Sequence, residues 1–310
     1  MRRTIAAIGR TLVTVGLLIL LFVVYQLWGT NVLQARAQDN LKDDLQELQD
    51  TLVDTPEPEE VTTPVTGPTT TTTPAPLPAF AEKDPVGSIE IPKLGVNQVF
   101  VQGTGIESLK RGPGHYASTP MPGQIGNAAI AGHRTTYGAP FNRLDELAVG
   151  DEIITTLANG ARYVYQVREA PVIVAPGDVW VVANTDKAQL TLTTCNPKYS
   201  ARQRLVIFAD LVVEDSPPPI EFDPESLPET DTELARSDDP IALEEGLRGE
   251  RKSLGPAYGF GAVVVLIGAA WWWLFRRWRH PITWLAGVGP FLVFLFVFYV
   301  FLERVLPAGY

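Results

Sequence analysis

Between Phe80 and Val213 the apolar runs are short and β-branched. They are Ser88–Ile91, Val99–Val101, Ala128–Ala131, Glu152–Thr156, Ala161–Val167, Leu190–Thr194 and Leu205–Val213. Proline and glycine punctuate them: Pro92, Gly95, Gly103, Gly112-Pro113-Gly114, Pro122-Gly123, Gly160 and Pro176-Gly177. Many short strands separated by turn signals predict an all-β barrel or sandwich. Residues Arg143–Leu147 read as a single helical turn. A segment of this length can bury one core, and it contains no internal repeat.

Low-complexity chain bounds this domain on both sides. Residues 54–79 are rich in proline and threonine, with an unbroken Thr69–Thr73 run. Residues 214–253 open on Pro217-Pro218-Pro219 and are dense in aspartate and glutamate. Neither composition can bury a core, so both read as extended linkers. The folded domain is therefore expected at residues 80–213, held on two tethers.

The mean hydropathy, +0.07, is high for a soluble chain, and three long apolar runs account for it. Residues 11–28 follow Arg2, Arg3 and Arg10; residues 258–275 and 282–302 lie near the C-terminus. Each is close to the ~20 residues that a membrane helix needs. The first run is longer than a signal-peptide core and continues through Val23, Val24, Tyr25 and Trp28, which favours a retained anchor over cleavage at Ala35-Arg36-Ala37. Residues 276–281, Arg-Arg-Trp-Arg-His-Pro, form a short basic loop between the second and third runs. The positive-inside rule assigns that loop and residues 1–10 to the cytoplasm and the β domain to the extracellular side. Trp271, Trp272 and Trp273 suit an interfacial aromatic belt, while Arg251 and Lys252 weigh slightly against this topology.

Between the first run and the first linker, residues 29–53 carry Leu41, Leu45, Leu48 and Leu52 at heptad spacing. The pattern covers too few heptads to define a coiled coil, so a solvated juxtamembrane helical stalk is expected. The net charge of −10 and pI near 4.9 exclude nucleic acid as a natural partner, because phosphate binding needs clustered lysine and arginine.

The chain has one cysteine and three histidines. That set offers no metal-ligand cluster, and no cofactor is implied. Cys195 ends the run Thr191-Leu192-Thr193-Thr194-Cys195, Arg204 opens the next run, and His133 follows Ala128–Ala131. All three stand at strand ends, where rigid scaffolds hold their sites. A thiolate attacks, an imidazole carries its proton, and a guanidinium supplies donors to a developing oxyanion. Their separation in sequence is no obstacle, since such groups meet only in the fold. A lone cysteine is also commonly just a small buried hydrophobe, and His133 or His115 can be a structural histidine.

With these residues in view, the chain resembles the sortases, membrane-anchored cysteine transpeptidases of Gram-positive surfaces. Ile89-Glu90-Ile91-Pro92-Lys93-Leu94 is similar to the family's opening strand. Gly112-Pro113-Gly114-His115-Tyr116 and Pro122-Gly123-Gln124-Ile125-Gly126-Asn127 resemble its middle. Ala131-Gly132-His133-Arg134 resembles the catalytic histidine motif, and Thr191–Cys195 with Arg204 the catalytic cysteine–arginine motif. Thr135-Thr136-Tyr137 and Asn196-Pro197-Lys198-Tyr199-Ser200 are most similar to the class E sortases of actinobacteria.

The resemblance implies an eight-stranded sortase-type β-barrel with Cys195, His133 and Arg204 catalytic and Thr194, His115 and Tyr137 at the substrate. It implies secreted proteins with a Leu-Ala-x-Thr-Gly or Leu-Pro-x-Thr-Gly sorting signal as substrates. The acceptor would be an amine of lipid II or peptidoglycan, and the lipid bilayer the third partner. A pilin-polymerising sortase is one alternative, but the lid motif of that group is not evident, since Val86 follows Asp84-Pro85. A non-catalytic tethered surface-binding domain is the other. Papain-like peptidases are disfavoured because they place cysteine before histidine. A wall-building class with Ser-His-Gly-Cys is disfavoured because Thr193-Thr194 precedes Cys195.

Overall fold

The computed structural model describes residues 2–54, 76–222, 254–275 and 281–305. Most of both linkers and the basic loop at 276–280 lie outside the described residues. The chain divides into two compact units, Asn31–Gly246 and Met1–Thr30 with Leu247–Tyr310.

The first unit is built on nine strands in one sheet. They are β1 (Pro85–Ile91), β2 (Val96–Gln102), β3 (Gly114–His115), β4 (Gly126–Ala131), β5 (Glu152–Leu157), β6 (Arg162–Val167), β7 (Val172–Val174), β8 (Ala188–Asn196) and β9 (Gln203–Leu211). The order is β6-β5-β1-β2-β3-β4-β8-β9-β7, and β6 also pairs with β9. That extra pairing closes eight strands into a barrel and leaves β7 as an outer flank on β9. Closure removes the exposed edges that an open sheet would present. Inside, Ile89, Ile91, Phe100, Ile130, Leu190, Leu192 and Ile207 are fully buried in one apolar core. Branched and aromatic side chains favour these pleated, enclosed positions.

Each run read from the sequence lies mainly on a strand. The strands without a sequence signal are β3 and β7, of two and three residues. Residues Arg143–Leu147 contain a short 3₁₀ turn, Leu144–Glu146. Asp84-Pro85-Val86 belongs to the barrel: Pro85 opens β1 and Val86 is fully buried.

The domain is longer at both ends than composition suggested. Leu77 and Phe80 pack on the core. Beyond Val213, Ile220 bridges to Gln124, its N–H donating to Gly123 O at 3.0 Å while its carbonyl accepts from Ile125 N at 2.7 Å. The start of the acidic segment therefore lies along the barrel, because backbone pairing does not depend on its polar composition.

Helix α2 (Thr30–Asp54) carries the leucine heptads, but its stripe is not solvated. Leu41 and Leu45 are buried against Val99, Val101 and Ala158. Gln38, also buried, donates to Val99 O (2.9 Å) and Arg111 O (2.8 Å) and accepts from Val99 N (2.8 Å). The apolar stripe has found a barrel wall rather than a second helix. A one-turn helix, α3 (Ile106–Leu109), completes this unit.

In the other unit, α1 (Arg2–Val24) runs into a π-helical turn at Tyr25–Gly29. Helices α4 (Leu254–Phe275) and α5 (Pro281–Val305) accompany them. Tyr25, Val264, Leu295 and Tyr299 form their buried cluster, and Tyr299 donates its hydroxyl to Leu18 O at 2.7 Å. Counting only the described residues, no helix is long and apolar enough to cross a membrane.

Candidate active site

The barrel's hydrogen-bond register brings the expected residues to one end. β8 and β9 are antiparallel, and Cys195 sits directly opposite Arg204. β4 and β8 are parallel, and their last paired residues are Ala131 and Thr193. His133 and Cys195 each stand two residues beyond that pair, on neighbouring chains. The pairing continues past the strand end: Gly132 N donates to Thr193 O at 3.1 Å, and Thr194 Oγ1 donates to Gly132 O at 2.7 Å. Thr194 is buried, so its hydroxyl ties the cysteine strand to the histidine strand. Gly132 has the ring of Phe141 where a Cβ would stand, so a side chain there would displace that packing.

Burial sets the charge state of the site. It pushes the half-buried Cys195 thiol above its ordinary value, against the opposing pull of the Arg204 and Arg134 guanidinium groups. Burial, assisted by Lys110, pushes His133 down to about 4. Near pH 7 both shifts favour a neutral thiol with a neutral imidazole, which is a proton acceptor rather than a donor.

Arg204 Nη1 donates to Ala201 O and Gln203 O, both at 3.0 Å. Its Nη2 is buried and has no partner among the described residues. An enclosed donor left unmade costs roughly 1–3 kcal/mol. It is also a ready donor for an oxygen that gains charge beside Cys195.

A second guanidinium, unassigned from sequence, lies deeper. Arg134 is 5% exposed. Its Nη1 donates to Cys195 O at 3.2 Å and to Asn196 Oδ1, and its Nη2 pairs with Asp145 at 3.2 Å. Arg134 thus clamps the end of β8 to the chain that follows His133. Its adjacency to His133 was the only sequence signal. Tyr116, which closes the Gly112–Tyr116 motif, carries no role legible from sequence. Its hydroxyl is 3.0 Å from Thr193 Oγ1, and it lies within electrostatic reach of Cys195 and Arg204.

The remaining expected residues separate. Tyr137 is buried, with its ring 5.2 Å from that of His133, so it walls the imidazole. His115 is fully enclosed: Nδ1 is 3.0 Å from Gln102 Oε1 and Nε2 is 2.8 Å from Pro120 O. Both ring nitrogens are engaged inside the barrel wall, which leaves none to meet a substrate. Among the described residues there is no group of side chains that could hold a metal ion.

The register thus brings a thiol, an imidazole and a guanidinium to one end of a closed barrel. Residues 89–212 match the Sortase domain family model. Sortase SrtE1 of Streptomyces coelicolor is 33% identical over 223 residues, covering 67% of this chain and 57% of that protein. Sortase SrtE2 of the same organism is 29% identical, covering 68% of this chain and 83% of that protein. The chain belongs to the sortase family. It spans little more than half the length of the first of these relatives. Among solved structures, sortase E from Streptomyces avermitilis is 38% identical, with a TM-score of 0.38 over 43% of this chain and 91% of that one. A Clostridium perfringens sortase D5 transpeptidase is 25% identical, with a TM-score of 0.44 over 58% of this chain and 99% of that one.

Proposed function

We propose that this chain is a cysteine transpeptidase that cleaves a Leu-Ala-x-Thr-Gly or Leu-Pro-x-Thr-Gly sorting signal between threonine and glycine. The supporting observation is the register that sets Cys195 opposite Arg204 and His133 on the adjoining chain. Cys195 Sγ attacks the threonine carbonyl carbon, and its proton passes to neutral His133. Arg204 Nη2 donates to the oxygen as it gains charge. The C–N bond to glycine then breaks, the leaving amine takes the proton from His133, and an acyl-thioester remains on Cys195. In the second half, an acceptor amine gives its proton to His133 and attacks the thioester. The C–S bond breaks and the thiol recovers its proton. One amide is lost and one is made, with no redox change.

The neutral resting pair suits this sequence, because the imidazole is free to accept at the first step. Thr194, beside Cys195, and Tyr137, against His133, would border the bound signal, whereas both ring nitrogens of His115 are engaged within the barrel wall. The apolar runs at 11–28, 258–275 and 282–302 support a multi-pass membrane location with the barrel outside the cell. There it would meet secreted substrate proteins and a lipid II or peptidoglycan amine. A solved sortase E1 from Streptomyces coelicolor carries a tripeptide in its active site, in keeping with a peptide substrate here.

The test is transfer by the detergent-solubilised chain. Peptides with alanine or proline at the second signal position are offered with a glycine amine, and products are read by mass spectrometry beside Cys195→Ala. Thr-acyl transfer product from the native chain alone is expected, and its preference names the signal. Equal product from Cys195→Ala would overturn the assignment.

A further inference from the structure

The chain after His133 makes a sharp bend in which three consecutive residues are left-handed: Tyr137 (φ 50°), Gly138 (φ 73°) and Ala139 (φ 43°). Side-chain-bearing residues adopt that conformation only when their surroundings hold them there. Two of the holding contacts come from outside the 89–212 domain, from the first turns of α2. Gly138 N donates to Asn31 Oδ1 at 2.9 Å. One helical turn on, the buried Gln34 amide sits where a Cβ of residue 138 would stand, and its Nε2 donates to Gln98 Oε1 on β2 at 3.1 Å. Asn31 and Gln34, three apart, share a helix face, so α2 spans from the barrel wall to the tip of the bend. Deeper along the same helix, Gln38 and Leu41 lock it onto β2. The bend in turn lays the Tyr137 ring against the imidazole of His133.

We infer that Asn31 and Gln34 are positioning residues for the active site, through which α2 holds the 137–139 bend and so keeps Tyr137 over His133. The inference deepens the proposed function and rests on it for the role of His133. The helix touches no reacting atom and acts through the bend. The titratable groups that face the imidazole are Lys110 and Tyr137, with Cys195 on the adjoining strand. If the bend loosens, water reaches the ring and its titration moves back toward the ordinary histidine range.

The experiment uses the full chain in detergent, with Asn31→Ala, Asn31→Asp, Gln34→Ala and, as a control on the exposed face of α2, Asp50→Ala. Amide exchange across residues 135–141, the NMR titration of His133 and turnover of the two signal peptides are measured together. Asn31→Ala and Gln34→Ala are expected to exchange about fivefold faster at 135–141. They should raise the His133 titration by half a unit or more and lower kcat about tenfold with KM nearly unchanged. Asn31→Asp keeps the acceptor oxygen and should behave as the native chain, as should Asp50→Ala. Continued protection of the Val99 amide, which is bonded to Gln38, shows that the helix remains docked. Native exchange and a native His133 titration in Asn31→Ala and Gln34→Ala overturn the inference, as does an equal response in Asp50→Ala. Exchange and titration need no peptide. If both move as expected while His133→Ala turns over peptide normally, the functional reading falls and the positioning role of α2 stands.

Discussion

Arg134 shows how a buried charge can serve a reaction it never touches. Its fork spans Cys195 O, Asn196 Oδ1 and Asp145, so it fixes the height of the nucleophile relative to His133. It also lowers the cost of a thiolate. Arg134→Gln is expected to reduce kcat by roughly 10- to 100-fold through misplacement, with the thiol titrating higher than in the native chain. Alkylation by iodoacetamide across pH reads that directly. In the native chain its inflection should lie above the ~8.5 of a free cysteine, and an inflection below neutrality would contradict the neutral pair. His133 accepts a proton only while neutral, so turnover should fall as pH drops through about 4. His115 sits at the same value for the same leading reason, burial, here without Lys110 and against the opposing pull of the Pro120 carbonyl. Its folded pKa, about 4, is below the unfolded ~6.5. The native state therefore binds the proton more weakly, and stability is full above ~6.5 and declines as pH falls toward 4. The slope is about 1.4 kcal/mol per pH unit for one proton. His115→Gln should remove its one-proton share of the slope between pH 4.5 and 6 and leave the share of His133; an unchanged slope would remove His115 from that account.

Elements differ in how plainly the sequence announces them. The longer strands were legible because β-branched runs and turn residues are local signals. β3 and β7 were not, since two or three residues carry no period and exist only through their neighbours, Val101 with Gly114 and Val174 with Arg204. The leucine stripe of α2 revealed an apolar face but not its partner, because spacing alone does not distinguish a second helix from a barrel wall. For the site, Cys195, His133 and Arg204 could be named from residue type and motif, yet their juxtaposition depends on the β4–β8–β9 register. Arg134 and the enclosure of His115 depend on contacts across the fold that no local pattern encodes. If α2 is part of the domain, removing a buried leucine from it must destabilise the barrel. Leu41→Ala should cost about 2–5 kcal/mol in denaturant unfolding followed by β-sheet circular dichroism. A change near zero would mean that α2 is an accessory and not a wall of the core.

At the scale of the whole molecule, a single cysteine makes both location and mechanism accessible to thiol chemistry. Exposed Val149, changed to cysteine in a Cys195→Ala background, offers an unambiguous tag on the barrel. A membrane-impermeant maleimide should label it in intact cells, and labelling only after permeabilisation would place the barrel on the cytoplasmic side. The central claim is that Cys195, His133 and Arg204 together carry out acyl transfer, and its most direct measurement is the intermediate. The full chain is mixed with excess sorting-signal peptide without an amine, quenched in acid and weighed intact. A mass increase equal to the threonine-terminated acyl fragment is expected, mapped to Cys195, released by an added amine and greatly reduced in His133→Ala and Arg204→Ala. A folded chain that cleaves the peptide with no acyl adduct on Cys195, or forms it equally well without His133, would contradict it.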